Sequence, residues 1–189
     1  VYTMSFKKRL YIYVILSFIS MGIVNARSIT IQQTIDWPEF MSSQDMIWEV
    51  LPEYWHESAY LGNGRLGLMI YKEPEKNYIR FETSNCDVHD HREKRDVFGT
   101  PRLLTGHFAL HPEGEIISGK MRLDLWNAEA TTDIVTTKGA IHLKTFVHAD
   151  DMIMNVKATT EGEEKNFQWE WIAAEANSPR YLFFKNQDK

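Results

Sequence analysis

From Arg65 onward, apolar and polar residues alternate in short runs. "RLGLMIY" (65–71) and "NYIRFE" (77–82) flank "KEPEK", a Pro-containing turn, and together predict a β-hairpin. After a polar interval the alternation resumes in "LLTGHFALH" (103–111) and "GKMRLDLW" (119–126), where Met121, Leu123 and Leu125 share one face and Lys120, Arg122 and Asp124 the other. "TTDIVTT" (131–137) turns through Lys138 and Gly139 into "AIHLKTFVH" (140–148), with Ile141, Leu143 and Thr145 alternating against His142 and Lys144. "MIMNVKATT" (152–160) and "FQWEWIA" (167–173) complete the series. No stretch beyond residue 26 sustains a 3.6-residue period. The pattern therefore predicts an all-β fold, seven or so strands joined by short turns in an antiparallel sheet stack, and excludes βαβ units.

The beginning of the chain follows a different rule. Lys7, Lys8 and Arg9 precede an apolar run from Leu10 to Val24 that closes on "VNA". A basic end, a short apolar stretch and small residues at a cleavage site are the parts of a secretory signal peptide. The run of 15 residues is shorter than the roughly 20 a membrane-crossing helix needs. The expected organisation is a signal peptide over 1–26 cleaved after Ala26, a polar leader over 27–45 and a β-sandwich domain over 46–189. Within it "DMIWEVLPEYWHESAY" (45–60), with Pro52 between Trp48 and Trp55, suits an extended lead-in better than a helix. The product is expected outside the cytoplasm, periplasmic or secreted, with no membrane span after cleavage.

Composition sharpens this. With 189 residues, 43% of them hydrophobic, the chain can bury one core and not two. Cleavage removes three cations and no acid, taking the net charge from −5 to −8, a surface that repels nucleic acid and anionic lipid. Cys86 is the sole cysteine, so no internal disulfide can form.

Two stretches carry candidate chemistry. In "LGNGRLG" (61–67), Gly62, Gly64 and Gly67 match the G-x-G-x-x-G spacing of a dinucleotide turn, and Asp87 lies 20 residues on. The chain continues from Gly67 as a strand, however, so no helix N-terminus is there to receive a pyrophosphate. The glycines, with Asn63, read instead as a structural turn with close backbone approach. Residues 83–102, "TSNCDVHDHREKRDVFGTPR", form a polar interval too long for a simple turn. Asp87, His89, Asp90, His91 and Arg92 within it, with Trp55 beside the glycine turn, are the candidates for lining a substrate cleft. His89 and His91 would point to one side of a strand, but a zinc site needs a third ligand that no repeated spacing supplies, so no metal and no cofactor is expected. Cys86 and Ser84 lack the context of a nucleophile, and no spacing among 26 acidic residues singles out a glycosidase pair. Trp169 and Trp171 share one side of a strand and are expected to fill the sheet core.

"WHESAYLGNGRLGLMIY" (55–71) followed by "NYIRFE" resembles the opening of the N-terminal domain of glycoside hydrolase family 95, the α-L-fucosidase and α-L-galactosidase group, whose pattern is close to W-x-E-A-x-P-L-G-N-G-R-L-G-A-M-V. A second block, "GKMRLDLWNAEATTDIVTTKGAIHLKTFVHADDMIMNVKAT" (119–159), resembles that family's R-x-L-D-L-x-x-A strand and those after it. The two blocks stand in the family order, and the resemblance spans about residues 46 to 175. It implies an antiparallel β-supersandwich, here incomplete, and a catalytic (α/α)6 barrel that this truncated chain does not reach. It also implies a carbohydrate partner, inverting hydrolysis without a cofactor, and a role for the sandwich in bracing the missing barrel. No catalytic residue of the family carries over to a position here. Where the fucosidases have L-N-E-D-T-L-W, this chain has "RFETSNCDVHDHR" (80–92), and only Glu82 has a counterpart. The alternative from another class is a stand-alone carbohydrate-binding or structural sandwich.

Overall fold

The alternating runs fold into two five-stranded antiparallel sheets that enclose one core. The structure, a computed structural model, describes residues 35–90 and 102–176. The signal-peptide region, residues 27–34 of the leader, His91 and Arg92 lie outside the described residues. The chain divides between Ile35 and Asp36, and the fold is that of the second unit.

In chain order the elements are α1 (Trp37–Ser42), β1 (Met46–Trp48), a 3-10 turn (Trp55–Glu57), β2 (Ala59–Gly62), β3 (Leu66–Lys72), β4 (Ile79–Asn85) and β5 (Gly106–His111). Then come β6 (Ile116–Asp124), β7 (Glu129–Thr136), β8 (Gly139–Val147), β9 (Met154–Gly162) and β10 (Gln168–Ala173). The first sheet runs β1-β6-β7-β8-β9 and the second β10-β5-β4-β3-β2. The hairpin expected over 65–82 is present, with Ile70 opposite Phe81.

Alternation decides which side of each strand enters the core. On β6, Met121 and Leu123 are buried; on β7, Ala130, Thr132 and Ile134; on β8, Ile141, Leu143 and Thr145. From the second sheet Leu68, Ile70, Ile79, Phe81 and Leu110 meet them. Each of these large side chains contributes about 1.5–3 kcal/mol by leaving water.

Three short elements escape the periodicity. Helix α1 lies in the polar leader, capped by Asp36, whose Oδ1 accepts from the Glu39 amide at 3.1 Å. Its six residues bury nothing, so no apolar stripe announces it. Strands β1 and β2 are three and four residues long, at most two periods, too short a run to stand out in the sequence. Among the described residues no helix is long and apolar enough to cross a membrane.

The sheets lie closest where β2 and β3 meet β6, β7 and β8. They part toward β9 and β10, each an edge strand of its sheet. That geometry corrects the expectation for Trp169 and Trp171. Both lie on the inner side of the second sheet, Trp169 opposite Leu110 and Trp171 opposite Phe108, yet they are 40% and 47% exposed. They occupy the overhanging edge, where the opposite sheet no longer covers them. Trp171 packs on Phe108 with ring centroids 4.6 Å apart, and Trp169 on Phe81 at 5.0 Å.

A buried carboxylate closes the opposite rim. Glu164, fully buried between β9 and β10, accepts from the amides of Glu113 (2.5 Å) and Gly114 (3.0 Å) and from the Thr136 hydroxyl (2.6 Å). One side chain thereby ties the turns before β6 and after β7 to the crossing between the sheets.

Candidate functional site

The glycine motif forms the turn between β2 and β3, and Asn63 organises it. The Asn63 Oδ1 accepts from the amides of Arg65 (3.0 Å) and Leu66 (2.9 Å), a local turn typical of asparagine. Its Nδ2 donates to the carbonyls of His148 (2.9 Å) and Asp151 (3.0 Å), which belong to the β8–β9 turn of the other sheet. Gly64 has φ +89°, a left-handed conformation that L side chains resist. Gly62 closes the ladder opposite Gly67, and a Cβ on Gly67 would lie 2.6 Å from the Ser84 Oγ.

The chain after β4 folds back over this turn. The Cys86 amide donates to the Arg65 carbonyl at 2.9 Å, and the Arg65 guanidinium pairs with Asp87 at 2.5 Å. Hydrogen bonds from Arg65 and then from Cys86, together with the Arg65 charge, hold the Asp87 carboxyl below the usual carboxylate range. His89 bridges Arg102 through the backbone, bringing residue 102 back beside the stretch that follows β4. The polar interval therefore starts inside a strand: Thr83 donates to the Gly106 carbonyl at 3.0 Å.

Two hollows open here. The first, of about 280 Å³, is bordered by the glycine turn, Arg65, Ser84, Asn85, Cys86 and Arg102. The second, of about 540 Å³, runs between the parted sheets along Thr83, Thr105, Phe108, Met152, Ile153 and Trp171. Leu66 and Asn85, the last pair of the β3–β4 ladder, border both hollows.

Asp87 and His89 thus stand beside the glycine turn, while Asp90 is largely buried. Trp55, 63% exposed, is not with them; its 3-10 turn precedes β2 at the end away from Gly62. The tryptophan that does line the cleft is Trp171, which sequence reasoning assigned to the core. No local pattern marks it, because its exposure depends on where the opposing sheet stops.

A second polar cluster, on the outer face of β3, β4 and β5, also went unseen. Glu82 is buried there, its Oε2 accepting from the Tyr71 hydroxyl at 2.8 Å and from Arg80 Nε at 2.9 Å. Burial, then the bond to Glu82, raises the Tyr71 hydroxyl well above its ordinary range. Arg80 also reaches Glu73 at 3.0 Å. Opposite Glu82 lies His107, buried beneath Tyr78, its imidazole pKa lowered by burial and then by the Arg80 charge. With both carboxylates held by Arg80, this cluster braces the sheet; Glu82, the residue shared with the family pattern, is its centre.

The hollow at the glycine turn offers hydrogen bonding and the Arg65 and Arg102 side chains, and the hollow between the sheets offers the Trp171 ring. The Cys86 thiol donates to the Asp87 carboxylate at 3.4 Å. Among the described residues, no group of three or more His, Cys, Asp or Glu side chains is placed to hold a metal ion. No protein-family model matches the chain, and no curated protein sequence matches it.

Proposed function

We propose that this chain is the non-catalytic N-terminal sandwich domain of an exported glycoside hydrolase acting on α-linked fucose- or galactose-type sugars. The observation that carries the reading is the open seam between β9 and β10. There Trp169, Trp171, Met152 and Ile153 are exposed together on what is otherwise the inner side of the sandwich. A contiguous apolar surface of this kind fits a large apolar partner. The two sequence blocks and the Asn63 turn supply the reason for naming a hydrolase barrel as that partner.

In this reading the sandwich braces an (α/α)6 barrel, and the barrel carries the general acid and the groups that activate water for inverting hydrolysis. The chain alone is inactive. The test is to compare this chain with the longest product of its gene on aryl α-L-fucosides and α-galactosides. Activity confined to a product that includes a downstream helical region supports the reading. A gene that ends without one, and a chain that stays monomeric with its tryptophans exposed, overturns it.

A further inference from the structure

The edges of the two sheets differ in length. Strand β1 has three residues, β2 four and β10 six, whereas β9 runs for nine in unbroken register with β8, from Met154 opposite Val147 to Gly162 opposite Gly139. It contains no proline and no bulge, two of the devices that keep an edge from pairing. Among the described residues β8 is its only strand partner. Its inward residues Met154, Val156 and Ala158 pack on the core yet stay half-buried, so apolar surface continues to the edge. Its outward row carries Asn155, Lys157, Thr159 and Glu161, all exposed. Lys157 lies opposite Lys144 of β8, which is paired with Glu129 at 2.6 Å, so that side offers Lys157 a like charge. Glu161, its side chain 73% exposed, reaches the His142 imidazole at 3.5 Å.

We infer that β9 is a self-pairing edge, to which a second copy of this chain adds its own β9 antiparallel about a two-fold axis at Thr159. In that register Lys157 lies directly opposite Glu161 of the partner subunit, and Glu161 opposite Lys157 of the partner subunit. Residues directly opposite share a face, so both ion pairs form on the outward side while Val156, Ala158 and Thr160 continue the inward side. An axis at Lys157 or at Glu161 would set like charges against each other, and one at Ala158 would set the two ions against Thr159 and Asn155. An edge lysine alone repels its own copy; with Glu161 on the same face, its charge selects one register. The contact is isologous and closes at a dimer. It goes beyond the hydrolase reading and does not depend on it, since β9 belongs to the first sheet and Trp169 and Trp171 to the second.

The experiment is sedimentation equilibrium of the full 189-residue chain. A reversible monomer–dimer equilibrium is expected, weakened by salt. Lys157→Glu and Glu161→Lys should each weaken it about tenfold, because either change sets like charges opposite each other twice. The double exchange Lys157→Glu/Glu161→Lys should restore it, and so should mixing the two single variants, whose outward rows are then acidic in one copy and basic in the other. Near-ultraviolet circular dichroism confirms that each variant is folded. A wild-type chain that is monomeric at every concentration would overturn the proposal, as would single variants that dimerise like wild type or fail to recover on mixing. A dimer lost on Trp171→Ala and indifferent to both charge exchanges would place the contact on the second sheet and overturn it as well.

Discussion

The side chain of Asn63, in the first hairpin turn of one sheet, donates to the backbone carbonyl of His148 in the other sheet at 2.9 Å. Four hydrogen bonds converge on this one amide, two accepted within its own turn and two donated across the sandwich. Asn63→Ala removes them all and should cost about 2–3 kcal/mol, since partners are stranded as well as bonds lost. Asn63→Asp keeps the acceptor but turns a carboxylate toward two carbonyl oxygens, so it should be no better. Urea denaturation with an unchanged slope measures both.

Gly67 and Ser84 form a steric pair. Any Cβ at 67 meets the Ser84 hydroxyl at 2.6 Å, while the Ser84 Cβ is 4.0 Å away. Gly67→Ala should therefore destabilise by about 1–3 kcal/mol, and adding Ser84→Ala should recover most of the loss. A double-mutant cycle on the denaturation midpoints checks it; additive losses would show that the contact is not the cause.

Glu164 makes stability depend on acid. Burial pushes its carboxyl pKa up, but the bonds from Thr136 and from the Glu113 and Gly114 amides outweigh burial and hold it below the ordinary value. Because the folded-state value is the lower one, its contribution is present above the unfolded pKa and fades as pH falls through the folded one. Glu164→Gln, with only one acceptor oxygen, should cost about 2–3 kcal/mol at neutral pH and flatten the acid limb of a stability-against-pH curve.

His142 works in the opposite sense and more weakly. Its bond to Asp133, 2.7 Å long, raises its pKa. The contribution is complete below the ordinary histidine range and is lost as pH rises through the raised value. Lys120 (3.6 Å from Asp133) and Glu161 (3.5 Å from His142) share this outer row, all partly exposed, so the effect should stay below about 1 kcal/mol. An NMR titration should show the His142 pKa fall in Asp133→Asn.

Much of this fold is readable from residues 65 to 173. Wherever one strand face is buried, as with Met121 and Leu123 against Lys120 and Arg122, period two appears in the sequence and the structure follows it. The meaning of "LGNGRLG" was legible to the extent that it is a turn with close backbone approach. Its reach to His148 was not, because a contact 85 residues away leaves no local pattern. Trp169 and Trp171 misled for the same physical reason: their side of the strand is inner, but burial depends on the extent of the facing sheet. Helix α1 and the Glu82 network rest on caps and on cross-strand partners that periodicity does not register.

The central claim is that the β9–β10 seam is a surface built to be covered, and tryptophan quenching tests it most directly. With Trp37, Trp48, Trp55 and Trp126 replaced by Phe, acrylamide should quench Trp169 and Trp171 readily in the 189-residue chain, and adding Trp169→Phe/Trp171→Phe should then remove the signal. In the product of the extended gene the same two residues should be protected. Equal quenching of both tryptophans in the two proteins would contradict the account.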